Sequence, residues 1–259
     1  MIDLHSHILP GVDDGAESMA DSLDMARVAV ADGITLVVAT PHRHHLAYHA
    51  PREDAQNRLE ELRAALDEAG IPLQVRLGGE AQIAPDSAEQ VKSGLALTIN
   101  ESRYLLLEWP FEHWPLYSDQ AVFALQLLGI VPIMAHAERY RIVQRNHQHL
   151  DSLIERGLII QINASSLTGS SGAEAKRTAE WLITAGAAHV LASDAHSARS
   201  RSPILSLGRD RAAELVGLDR ARAMVEDVPQ QIVSNQPVDL SAPTARPPRP
   251  FWAFWRSNQ

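Results

Sequence analysis

Residues 1–15 read MIDLHSHILPGVDDG. The stretch Ile2-Asp3-Leu4-His5-Ser6-His7 alternates with the period of a half-buried strand, yet imidazoles stand where a sheet favours valine. On a strand of period two, His5 and His7 share a face and can grip one ion. Alone, the pair fits hydrogen-bonded core histidines as well as metal ligands. The position of the other polar residues relative to the later strands decides between the two.

Apolar or β-branched runs predict six more strands, at 34–40, 73–79, 104–109, 131–136, 158–163 and 189–193. Segments of helical period lie between them, at 18–31, 52–69, 117–128, 146–156 and 172–185, with two more near 204–216 and 220–226. Ser18 heads the first helix, and Gly33, Gly70, Gly129, Gly157 and Gly186 stand just past helix ends. Seven strands alternating with helices predict an α/β domain of parallel βα units, as a barrel in preference to an open doubly wound sheet.

In such a barrel the loops after the strands converge at one mouth. Strand one delivers His5 and His7, with Asp13-Asp14 in the next loop, and strand two runs into Pro41-His42. Strands three, four and five end at Glu80, Glu108 and His136, strand six in Asn163, and strand seven in Ser193-Asp194-Ala195-His196. Any one of these has an ordinary explanation as a cap or a satisfied core residue. Six of seven strands delivering a histidine or carboxylate to the same end do not, because burying such groups is costly unless they are paired or metal-bound. His5, His7, Asp14, His42, Glu80, Glu108, His136, Asp194 and His196 are the candidate ligands. Nine exceed the needs of one ion and suit two or three, bridged by carboxylates. Asp13 is less secure than Asp14, since either also reads as an Asx-turn residue in GVDDG. His44, His45 and His49 read as a solvated loop, His147, His149 and His189 as surface or helix-terminal residues, and His113 as part of a pocket wall or an irregular loop.

The chain has no cysteine, which excludes cysteine-nucleophile hydrolases, thiolate zinc sites and redox dithiols. A donor set of imidazole and carboxylate suits Mn²⁺, Fe²⁺, Zn²⁺ or Mg²⁺. The net charge of -9 argues against nucleic acid as partner. No apolar run reaches the ~20 residues of a membrane span and no secretion signal is evident, so the expected location is cytoplasmic. From Asn235 the pattern breaks, and SAPTARPPRPFWAFWRSNQ reads as a flexible tail whose aromatics could touch a membrane surface.

The motifs MIDLHSHILPGVDDG, ATPH, GGE, LLLEWP, IMAHAERY and ASDAHS closely resemble the PHP superfamily. Within it they resemble the bacterial protein-tyrosine phosphatases of capsule and exopolysaccharide clusters. The resemblance implies a distorted (β/α)7 barrel over residues 1–239, with 240–259 as an unmatched tail. It also implies two or three divalent ions, Mn²⁺ foremost, with Fe²⁺, Zn²⁺, Co²⁺ or Mg²⁺ as alternatives. One ion would take His5, His7, Glu80 and Asp194; a second Glu80, Glu108 and His136; a third Asp14, His42 and His196. Arg139 matches a family arginine at the substrate phosphate. Arg201 lies where the family has another, with Arg199 as its alternative.

The implied activity is phosphotyrosine hydrolysis, with hydroxide from metal-acidified water replacing a cysteine nucleophile. His42 or His196 would assist as acid. The implied substrate is the tyrosine-rich tail of a membrane-associated bacterial tyrosine kinase controlling polysaccharide export. The rivals are a histidinol-phosphate or other small-molecule phosphomonoesterase of the superfamily, a metal-dependent amidohydrolase, and a non-catalytic kinase-binding scaffold. The amidohydrolase would want a bridging lysine at a strand end, and the two lysines, Lys92 and Lys176, lie elsewhere.

Overall fold

The fold, a computed structural model, is described for residues 1–43 and 52–239; His44, His45, His49 and the tail from residue 240 lie outside the described residues. Among the described residues nine strands occur in the order β1 (Ile2–Ser6), β2 (Leu36–Ala39), β3 (His42–Arg43), β4 (Gln74–Leu77), β5 (Glu80–Gln82), β6 (Tyr104–Glu108), β7 (Val131–Met134), β8 (Ile159–Asn163) and β9 (Val190–Ala192). Every pairing between them is parallel.

The strands form two sheets, β1-β2-β4 and β3-β5-β6-β7-β8-β9. The α/β class and parallel order are as the sequence predicts, and the strands fall into two sheets instead of one. The reason lies in two interruptions. Pro41 has no backbone N–H, and the second strand stops at Ala39 and resumes as β3 at His42. The Gly78-Gly79 pair divides the third strand into β4 and β5. A Cβ on Gly78 would come within 3.1 Å of Val38 Cγ1, so glycine lets the broken strand stay close to β2. Between the other edges, Ser6 and Ala195 form an isolated parallel bridge. It is flanked by hydrogen bonds from His7 N to Ala195 O and from Asp194 N to His5 O, both 2.8 Å.

One buried cluster gathers Ile2, Leu4, Leu36, Val38, Leu106, Ile133, Ile159 and Val190 from six strands, together with Ile232 of the helix Asp227–Val233. The opposite faces of the strands pack on the surrounding helices in a larger cluster that includes Met25, Leu59, Leu62, Leu125, Leu153 and Leu182. Strict alternation along β1 would turn His5 away from the side that Leu4 faces. The register with β2 slips between Asp3 and Ser6. A slip of this kind re-aims side chains, and His5 reaches Gln161 of β8, two residues along the same face from Ile159, a packing partner of Leu4.

The first helix, Met19–Ala31, begins with a full capping box between Ser18 and Asp21. The five glycines expected at helix ends all take positive φ. The helix expected near 220–226 is instead two, Leu218–Ala223 and Asp227–Val233, and the short helices Ser87–Lys92 and Ala164–Thr168 were not legible as helices. Among the described residues, no helix is long and apolar enough to cross a membrane.

Candidate metal centre

The nine candidate donors meet at the C-terminal ends of the strands. Glu108 ends β6, His136 follows β7, and Asp194 and His196 follow β9. His42 and Glu80 correct the expected positions: each opens a second short strand after an interruption. Their register pairing, His42 beside Glu80, is what places them together.

After β1 the chain folds back over His7, with Ala16 N donating to His7 O at 3.0 Å. Gly15 makes this possible, because a Cβ there would lie 2.0 Å from His7 O and 2.4 Å from His7 Cβ. The fold-back brings Asp13 and Asp14 to the site.

The donor atoms crowd closely. His5 Nε2 lies 3.2 Å from His7 Nε2 and 3.3 Å from Glu80 Oε2. Glu80 Oε2 is 3.4 Å from His7 Nε2 and 3.1 Å from His42 Nδ1, while Glu80 Oε1 is 3.0 Å from His136 Nε2. His136 Nε2 is 3.6 Å from Glu108 Oε1. Asp14 Oδ1 stands 3.4 Å from both His42 Nε2 and His196 Nε2. Asp194 Oδ1 is 3.5 Å from His5 Nε2 and 3.6 Å from His7 Nε2.

An outer ring holds the imidazoles in orientation. Asp13 Oδ2 lies 2.7 Å from His7 Nδ1, Gln161 Oε1 lies 3.2 Å from His5 Nδ1, and the Asp194 carbonyl lies 3.0 Å from His196 Nδ1. An acceptor at Nδ1 fixes the tautomer whose Nε2 lone pair faces inward, the usual arrangement around metal-binding histidines. Gln161 also accepts from His136 N, and its amide donates to Asn163 Oδ1, whose own amide donates to Asp194 Oδ2. Asp13 and Gln161 are the residues that sequence reasoning missed. Their signals were a second aspartate in the loop and two polar residues, Gln161 and Asn163, sharing one face of an apolar strand.

Burial opposes charge on His7, but Asp13 in the first place drives it well above the ordinary imidazole range. Burial likewise opposes ionisation of Glu80 and Asp194, yet His5 and its neighbours hold both well below the ordinary carboxylate range. Glu108 is pushed up to about 7 by burial and then by Glu80 beside it. Four carboxylates in one small volume call for positive charge.

The residues fit divalent cations. Donors around an ion at ~2.1 Å stand about 3.0–3.4 Å apart, close to the separations here. His196 Nε2 is buried with no hydrogen-bond partner among the described residues, aimed beside Asp14. Three overlapping donor groups result: His7, Asp14, His42, His196; His5, His7, Glu80; and Glu80, Glu108, His136. His7 thus shares in two groups. Asp194 stands beside the imidazoles but outside these groups, held by arginines.

Arg139 Nη1 lies 3.1 Å from Asp194 Oδ2, with its guanidinium 4.9 Å over the Phe111 ring. Arg201 Nη2 lies 2.7 Å from Asp194 Oδ1. Both expected arginines are therefore at the site. Arg199 is exposed and does not reach Asp194.

Of the other histidines, His113 is exposed, and its loop is held by Trp109 stacking on Trp114 and donating to Ser118 Oγ. His147 and His149 lie at the start of the helix Gln148–Glu155, stacked on Trp181 and Trp114. His189 is not the surface or helix-terminal residue expected. It precedes β9, its Nδ1 accepts from Ile160 N of β8, and burial holds its pKa at about 4.

Comparison with known proteins is consistent with this geometry. The family model for capsular polysaccharide synthesis, CpsB/CapC, matches residues 1–234. Tyrosine-protein phosphatase YwqE of Bacillus subtilis is 39% identical over 202 residues, covering 78% of this chain and 80% of its own. Tyrosine-protein phosphatase CpsB of Streptococcus pneumoniae is 29% identical over 241 residues, 91% of this chain and 99% of its own. A crystal structure among those of B. subtilis YwqE and S. pneumoniae CpsB, described as metal-dependent tyrosine phosphatases, matches with TM-score 0.88 and 34% identity. It covers 92% of this chain and 96% of that one.

Proposed function

The chain belongs to the capsular polysaccharide synthesis family CpsB/CapC, and from that premise we propose that it is a metal-dependent, cysteine-independent protein-tyrosine phosphatase. The observation that carries this reading is a cluster of eight donors, with Asp194 beside it, in a chain without cysteine. His5, His7, Asp14, His42, Glu80, Glu108, His136, Asp194 and His196 hold two or three divalent ions, Mn²⁺ foremost. We read the two parallel sheets, bridged at Ser6–Ala195, as a distorted (β/α)7 barrel over residues 1–239, with 240–259 a separate tail.

Divalent ions, when bound there, would supply Lewis acidity and lower the pKa of the attacking water to near neutrality. The protein's own groups do the rest. Arg139, steadied over Phe111, and Arg201 present guanidinium donors to the phosphoryl oxygens and offset the charge that spreads over them during in-line displacement. Asp13 and Gln161 keep His7 and His5 in register. The tyrosyl leaving group has a pKa near 10, so it needs little protonation. Assistance as acid would fall to His42 or His196, which flank the partly exposed Asp14, in the state in which that imidazole is not holding an ion.

The substrate we propose is a phosphotyrosine protein, the tail of a membrane-associated bacterial tyrosine kinase acting in polysaccharide export. The enzyme works in the cytoplasm, and the tail aromatics give peripheral membrane contact. The test is to measure bound metal and compare rates on a phosphotyrosine peptide, histidinol phosphate and an aryl phosphate, with and without Mn²⁺. Metal-dependent preference for the phosphotyrosine peptide is expected. Preference for histidinol phosphate, or no turnover with metal bound, would overturn the reading.

A further inference from the structure

The lining of a cleft of about 620 Å³ includes Arg139, Arg201 and Asn163, whose side chains all reach Asp194. Ligand pockets run to roughly 300–1,000 Å³, so it holds more than one phosphoryl group. Three arginines line it, Arg139, Arg199 and Arg201, and no aspartate or glutamate does among the described residues. In a chain with 32 acidic and 23 basic residues, that is a local reversal of charge. Ser165, Ser170 and Ser171 add hydroxyls on the facing wall.

Two of the guanidiniums are engaged by Asp194, at 3.1 and 2.7 Å. The Arg199 side chain has no partner among the described residues, although its backbone is firmly placed. Ser197 Oγ accepts from Arg199 N at 3.3 Å and from Ser200 N at 2.9 Å, and Ser202 Oγ donates to Ala198 O at 3.0 Å. His196 N donates to Arg201 O at 2.9 Å and closes the loop on the metal site. The loop thus presents an uncommitted cation in the same cleft as the two arginines that engage Asp194.

We propose that Arg199 and the serine wall form a subsite for a second anionic group of the substrate, carried close in sequence to the phosphotyrosine. The proposal rests on the phosphatase reading above. The ligand chemistry is an oxyanion able to take charge-assisted hydrogen bonds. It is supplied either by an aspartate or glutamate carboxylate or by the phosphate of a neighbouring phosphotyrosine.

The test uses the full chain loaded with Mn²⁺ and three phosphotyrosine peptides alike except for the flank, which carries two glutamates, two glutamines or a second phosphotyrosine. The wild type should favour one or both anionic flanks over glutamine, and which flank it favours identifies the source of the anion. Arg199→Ala should lower that preference about five- to tenfold, mainly through KM, and Arg199→Lys should retain most of it. A fluorescence titration with the same peptides carrying a non-hydrolysable phosphonate should show the same ratio in Kd. Equal affinity for anionic and neutral flanks, or an equal loss on all three in Arg199→Ala, would overturn the subsite. Failure to hydrolyse any aryl phosphate would sink the phosphatase reading instead, and the titration would still decide the subsite.

Discussion

Asp13 Oδ2 accepts from His7 Nδ1 at 2.7 Å and, with the same oxygen, from the backbone nitrogen of His42 at 2.9 Å. One carboxylate that belongs to none of the donor groups therefore orients the His7 imidazole and holds the backbone that carries His42. Outer partners of this kind typically contribute 10–100-fold to metal affinity. Asp13→Ala should bind Mn²⁺ about 10–100-fold more weakly by calorimetric titration of the chelated protein. Excess metal should restore much of the aryl phosphatase rate.

Chelation should remove activity and stability together. With the ions gone, Asp14, Glu80, Glu108 and Asp194 repel one another at the mouth. Ligands that bind only the folded state add about 2.7 kcal/mol at a hundredfold excess over Kd. A melting curve should therefore rise by several degrees on addition of Mn²⁺ to the chelated protein, and the rise should shrink in Glu80→Gln.

Gly15 has no room for a side chain. Gly15→Ala places a methyl group inside contact distance of His7 O and Cβ, and the loop carrying Asp13 and Asp14 must lift. Overpacking of this kind costs about 1–3 kcal/mol, read from denaturant unfolding of the chelated protein. Metal content of the purified variant should fall as well.

His189 gives a pH dependence far from the donor cluster. Its folded pKa of about 4 lies below the ordinary 6.5, chiefly through burial and then through Arg220. Between those values the unfolded chain binds the extra proton, so the contribution is fully present above pH 6.5 and is lost as pH falls toward 4. The loss amounts to about 3 kcal/mol at most. Urea unfolding of chelated protein should show the advantage of wild type over His189→Gln shrinking across that window.

Most of the donors were legible in the sequence because they lie at or just beyond the end of an apolar run, a place where a polar residue stands out. The two interrupted strands were not, because β3 and β5 have two and three residues and carry no periodicity of their own. Hence Glu80 was expected to end a strand and instead begins one. The slip between Asp3 and Ser6 was hidden for a related reason: alternation in the sequence says which residues share a face only while register is kept. Asp13 looked like a turn residue and is one, accepting from Gly15 N at 3.0 Å; its second role needs coordinates. His189 reads as polar in sequence, and only the Ile160 N–H shows that its ring completes a strand edge.

The C-terminal segment is fastened at the opposite end of the strands from the metal donors. Arg103 N and Nε donate to Asn235 Oδ1, and the Tyr104 hydroxyl donates to Gln236 O. Tyr104 opens β6 and Glu108 closes it, about 13 Å away along the strand. Val238 N also donates to the Tyr104 hydroxyl, so the described chain ends at the rear of the strands. A fusion made just after Val238 would therefore begin about one strand length from the donors, at the end of β6 that carries none of the chemistry.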